Sequence, residues 1–123
     1  MTDRPFILTA QTRHQLRKQV MDILRHGRAN AMRAAEITRL LHQRDDRLIR
    51  VVIRELISEG IPIASSVTEP MGYFIAENDD EAVRYIQGLE ARIREDQARL
   101  DEFRKAAEAR FSLPQQLSMG VTV

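Results

Sequence analysis

The sequence predicts an α+β chain: a three-helix core, a two-stranded β-hairpin after it, and one long C-terminal helix. Three changes of pattern carry that prediction. Up to residue 60 the apolar residues recur three and four apart, the spacing of one helix face. Between 61 and 76 two short β-leaning runs flank a turn sequence, and from 78 onward a helix-favouring, heavily charged stretch continues for about 30 residues.

Residues 1–11, with Pro5 ahead of Phe6-Ile7-Leu8, read as an irregular N-terminal arm. Thr12 to Gln15 has the form of a capping box, with the hydroxyl accepting a backbone N–H and the Gln side chain reaching back. The helix it opens carries Leu16, Val20, Ile23 and Leu24 on one stripe and stops at Gly27. Ala29 to Met32 is a link into a second helix, Arg33 to about His42, which offers Ala34, Ile37, Leu40 and Leu41 for burial. Gln43-Arg44 then leads tightly into the best-marked element of the chain. Asp45 is a good N-cap, Asp46 suits a first turn, and Gly60 supplies a left-handed stop. At about 100° per residue, Ile49, Val52, Ile53 and Leu56 share one side of this helix, and Arg47, Arg50, Val51 and Arg54 share the other.

Ile61 to Val67 and Met71 to Ala76 form the hairpin, with Thr68-Glu69-Pro70 between them. Pro62 belongs at a strand start or edge, and Gly72 marks a bulge or a close backbone approach. Asn78 caps the last helix, with Asp79 and Asp80 in its first turn and Glu81 at the capping-box position. Running to about Phe111, it would span roughly 45 Å, too long for the domain to cover. Ile86, Ile93, Leu100 and Ala107 repeat every seven residues with Leu89 and Phe103 as companions, while Asp96 and Arg110 interrupt the seam. That pattern predicts a homodimer through a coiled coil or helical pair, made by Ile86, Leu89, Ile93, Leu100 and Phe103. Pro114 stops helix propagation, so 112–123 is expected to be a mobile tail. The expected divisions are therefore 1–11, 12–77, 78–111 and 112–123.

Composition narrows function. The chain has 123 residues, 43% apolar and 30% charged, with no apolar run near the roughly 20 residues a membrane span needs and no basic-then-apolar leader. A cytoplasmic protein is expected. With 0 cysteines there is no disulfide, thiolate metal site or cysteine nucleophile. Residues 1–60 hold 12 Lys and Arg against 7 Asp and Glu, a balance of +5; the remainder holds 7 against 11, or −4. A polyanion partner for the first half follows. No phosphate loop or nucleophile–base pair is present, so no enzyme is expected.

The run Arg33-Ala34-Ala35-Glu36-Ile37, Leu41, Asp45, Ile49, Ile53, Leu56, Glu59-Gly60-Ile61-Pro62-Ile63 and Gly72-Tyr73-Phe74-Ile75 resembles the winged helix-turn-helix domains of bacterial transcription regulators. The N-terminal domain of the biotin-operon repressor and small phage proteins share this plan. The resemblance covers residues 12–77. It implies that Asp46 to Gly60 is a recognition helix lying in the major groove of duplex DNA. Arg47 and Arg50 would then meet bases or phosphates, Arg44, Arg54 and Arg33 would meet phosphates, and Val51 a thymine methyl or a protein partner. The family's wing tip usually carries glycine; Glu69-Pro70 stands there in this sequence, unfavourably for contact with a phosphate backbone.

Alternatives remain at this stage. An arginine stripe is ordinarily just a solvated face, and winged helices also serve as protein-docking modules in phage or host DNA replication or assembly, with the C-terminal helix or tail as hook. A binder indifferent to DNA sequence is a third class. His14, His26 and His42 lack ligand spacing, the acids at 79–81 are explained as first-turn residues, and no metal or cofactor is expected. Tyr73 is expected to pack at the base of the hairpin with its hydroxyl outward.

Overall fold

The computed structural model describes residues 10–118; of the arm expected at 1–11, residues 1–9 lie outside the described residues, as do residues 119–123, while residues 10 and 11 are already helical, so the first helix starts ahead of the capping box expected at Thr12. The elements are α1 (Ala10–Ile23), a 3-10 turn (Arg28–Asn30), α2 (Ala34–Leu40), α3 (Arg47–Ser58), β1 (Ile63–Ser66), β2 (Gly72–Ile75), α4 (Asp79–Glu108) and α5 (Gln115–Ser118). The α+β class is as expected, with an antiparallel hairpin between helices. One compact unit ends at Tyr85 and a second begins at Ile86.

The first unit is organised on α3. Ile49, Val52, Ile53 and Leu56 are all buried, the four positions that the helical period places on one side. Burial of each contributes about 1.5–3 kcal/mol at most, well above the few tenths that a surface pair on the same helix adds. Against them pack Leu16, Val20 and Leu24 from the first helix and its exit, Met32, Ile37 from α2, and Ile63 and Ile75 from the hairpin. α3 starts one residue later than expected: Asp46, not Asp45, is its N-cap and makes no side-chain cap bond, while the Asp45 carboxylate just ahead accepts the Arg47 N–H at 3.0 Å. Its end is a Schellman motif: with Gly60 at φ +106, the Gly60 N–H meets the Ile57 carbonyl at 3.0 Å and the Ile61 N–H meets that of Leu56 at 3.0 Å.

The second helix is shorter than its sequence pattern suggests. α2 stops at Leu40, and His42 takes the left-handed conformation (φ +54) while Gln43 N–H bonds the Thr38 carbonyl at 3.0 Å. Leu40, expected in the core, is 46% exposed. Ala34, Ile37, Thr38 and Leu41 lie within about 100° of arc on this helix, and Leu40 falls about 60° outside that arc, beyond Ile37. Thr38 is buried and donates its hydroxyl to the Ala34 carbonyl at 2.7 Å. Among the described residues no buried side-chain polar atom lacks a partner.

The hairpin pairs Ile63 with Ile75, Ala64 with Phe74, Ser65 with Tyr73 and Ser66 with Gly72. Pro62 stands just before β1, as its missing N–H requires. Gly72 is a close approach. The residue adopts φ +129, and a Cβ there would lie 2.1 Å from the Met32 carbonyl oxygen. That approach lets Met32 and Tyr73 exchange backbone hydrogen bonds of 2.9 and 2.7 Å. Ile75 bonds the same connecting segment, donating to Arg25 and accepting from Gly27, each at 2.9 Å. The stretch read as a mere link is therefore a partner of β2.

Asn78 Oδ1 accepts the Glu81 N–H at 3.0 Å, and the Glu81 carboxylate accepts the N–H groups of Glu77 and Arg28, both at 2.9 Å. These charge-assisted bonds hold the Glu81 carboxyl below its ordinary range, the Arg28 contact contributing most. α4 then runs for 30 residues and ends at Glu108, short of Phe111, where the Phe111 N–H turns back to the Ala107 carbonyl at 2.8 Å. Pro114 stands six residues past the end of α4 and opens a fresh turn, α5, so the expected tail is helical over 115–118.

Candidate nucleic-acid interface

Arg44, Arg47 and Val51 come together. With His42, Asp45 and Leu48 they line an open concavity of about 610 Å³ where the connection between α2 and α3 meets the first turns of α3. Val51 and Arg54 follow Arg47 at i+4 and i+7, so the three form one stripe, with Arg50 beside it. All four side chains are exposed. Among the described residues the guanidinium groups of Arg44, Arg47 and Arg54 make no ion pair. The acids of α3 are disposed differently: Glu55 and Glu59 are tied to Arg13 and Arg17 of α1. The stripe Arg47, Val51 and Arg54 therefore carries free positive charge, while Glu55 and Glu59 on its flank are matched by α1 and Asp46 by Arg50.

Arg50 is the exception among the outward arginines. Its Nε donates to Asp46 Oδ2 at 2.9 Å and its Nη1 to the Tyr73 hydroxyl at 3.0 Å. The Asp46 bond above all, then Tyr73, holds the guanidinium in its charged form. The Tyr73 hydroxyl does point outward, and it lands on α3.

Arg33 does not join the group. It precedes α2, and its Nη2 meets Glu69 Oε1 at the hairpin tip at 3.0 Å. Both side chains are more than half exposed, so the pair adds little stability, but it places a carboxylate where an anionic partner would compete for Arg33. No sequence pattern linked these two residues. The same holds for a smaller concavity of about 300 Å³, where Arg28 and Arg84 flank Phe74 and the Thr68 and Tyr85 hydroxyls. Its parts come from separate segments, so periodicity carries no trace of it. Among the described residues no three His, Asp or Glu side chains converge as metal ligands, and no helix is long and apolar enough to cross a membrane.

The seam residues of α4 are open. Ile86, Leu89, Ile93, Leu100 and Phe103 are 55, 39, 67, 47 and 72% exposed. Ala107, the next repeat position, is buried within the single chain, so the available stripe ends at Phe103. Comparison with known families, curated proteins and solved structures finds no match to this chain, so any functional reading rests on the residues.

Proposed function

We propose that residues 12–77 are a winged helix-turn-helix and that the protein binds duplex DNA, reading a short sequence as a bacterial or phage regulator. α2 and α3 would be its helix pair, α3 its recognition helix and the hairpin its wing. The observation that carries this reading is the set of unpaired guanidiniums, Arg44 just ahead of α3 and Arg47 and Arg54 on its outer face, opposite the face buried in the core. An ordinary solvated helix mixes signs along its exposed side; here Glu55 and Glu59 are set against α1 and Asp46 alone shares the side of the arginines. Arg44, Arg47 and Arg54 displace counterions from phosphates, Arg50 and Arg47 address base edges, and Val51 offers a methyl-sized apolar contact. Binding alone is the mechanism, with no cofactor and no chemistry. The open stripe Ile86 to Phe103 pairs two chains, so that two α3 helices meet two half-sites.

The test is fluorescence anisotropy against a pool of random duplexes at several salt concentrations. Three arginines on phosphates give a slope of log K against log salt of about −2.7 per protomer. Arg47→Glu with Arg50→Glu abolishes binding while the far-UV spectrum stays native. Wild-type protein that ignores duplex DNA at low salt would sink the proposal. A second reading, a protein-docking module, draws on Leu48 and Val51, which add apolar surface to the same concavity. It expects binding that hardly responds to salt.

A further inference from the structure

We infer that Asp46 and Tyr73 are positioning residues that hold Arg50 as the guanine reader of α3, so that the hairpin sets base specificity through a single hydroxyl. The inference rests on the DNA-binding reading but is separable from it. An exposed arginine ordinarily samples many rotamers, and fixing it on a base surrenders that freedom on binding. Arg50 is instead held at two points. Asp46, one turn earlier, takes Nε at 2.9 Å, and Tyr73, 23 residues away on β2, takes Nη1 at 3.0 Å. Arg47, Arg44 and Arg54 have no such holders among the described residues.

The two bonds use two of the five guanidinium N–H groups. The other three sit on Nη1 and Nη2, the pair of nitrogens that forks onto the O6 and N7 of guanine. Adenine offers a donor where guanine has O6, so an oriented fork rejects it, whereas a mobile arginine can turn to a phosphate instead. Tyr73 is itself fixed: its backbone exchanges two hydrogen bonds with Met32 and pairs across to Ser65, and its ring packs partly against the core. The hydroxyl is thus anchored from β2 and reaches across to α3.

The experiment starts from a site selected from the random pool by wild-type protein. Arg50→Ala identifies the base pair that Arg50 reads, as the one position where preference vanishes. That pair is expected to be G·C, with discrimination of about ten-fold or more in the wild type. Tyr73→Phe removes one oxygen and keeps the ring. It should reduce discrimination at that base pair by about three-fold or more, while affinity for random duplex and the salt slope stay within about two-fold, since neither depends on where the fork points. Arg50→Lys keeps the charge without the fork and should lose the same preference. A merely structural Tyr73 would instead weaken all duplexes alike. The inference is overturned if Tyr73→Phe discriminates as the wild type does, or if the pair that Arg50 reads is not G·C. Wild-type protein that binds no duplex overturns the DNA-binding reading and this inference together; selection of a site with an unaltered Tyr73→Phe profile overturns this inference alone.

Discussion

Replacing Gly72 by alanine should remove about 3–5 kcal/mol from the stability of the first unit, a large part of the roughly 5–15 kcal/mol a domain possesses. The residue sits at φ +129, where a side chain adds about 1–3 kcal/mol of strain. The new Cβ would also lie 2.1 Å from the Met32 oxygen and 2.5 Å from the Arg33 nitrogen, both backbone atoms. Relief requires β2 to withdraw from Met32, which is 3% exposed in the core. Withdrawal forfeits the two hydrogen bonds between Met32 and Tyr73, at about 1 kcal/mol each. Gly60 is the control. It too has a positive φ, +106, but a Cβ there meets nothing within 4 Å, so Gly60→Ala should show the strain alone, about 1–3 kcal/mol. Both variants are compared by denaturant unfolding followed by far-UV circular dichroism. If Gly72→Ala loses no more than Gly60→Ala, contact between β2 and the segment around Met32 is not what demands glycine at residue 72.

Other outcomes follow from the same structure. Gly88 lies inside α4 with nothing within 4 Å of an added Cβ, so Gly88→Ala should stabilise that helix by about 0.5–1 kcal/mol, seen as a raised melting temperature. The lowered pKa of Glu81 means that the unfolded chain takes up its proton first as pH falls; the stability this carboxylate gives is complete above its ordinary value of 4.5 and is lost as pH falls through the lowered value. Glu81→Gln should therefore be less stable than wild type at neutral pH, with the gap closing in acid, measured by melts across pH. Ile93→Asp places a charge on a side chain that is 67% exposed in the single chain; sedimentation should show wild-type dimers and variant monomers, and a wild-type protein monomeric at high concentration refutes the role given to the stripe.

The parts readable in the sequence were those ruled by local geometry. Ile49, Val52, Ile53 and Leu56 follow from one helical period, the end of α3 from Gly60, the start of α4 from Asn78, and the close approach at Gly72 from a glycine inside a strand. What escaped joins distant segments. Single bridges such as Met32 with Tyr73 have no alternation to betray them, because pairing of one residue imposes no period. The Arg33–Glu69 pair and the Arg50–Tyr73 bond likewise span 36 and 23 residues and depend on where the backbone brings two long side chains. Leu40 was misplaced because a helix of seven residues is too short for its pattern to settle which face is inward. Of the candidate site, the α3 stripe was legible; the partners that orient or neutralise its arginines were not.

The doubly bonded β2 also bears on how the protein tolerates crowding. A two-stranded hairpin normally presents two open edges, each a template on which another chain can add a strand. Here the segment from Arg25 to Met32 occupies the outer side of β2, leaving β1 as the one exposed border among the described strands. β1 is only four residues long, follows a proline and carries two serines, a poor template for a stranger. The hairpin is thereby guarded against edge-to-edge pairing, in which backbone would accept any chain as partner.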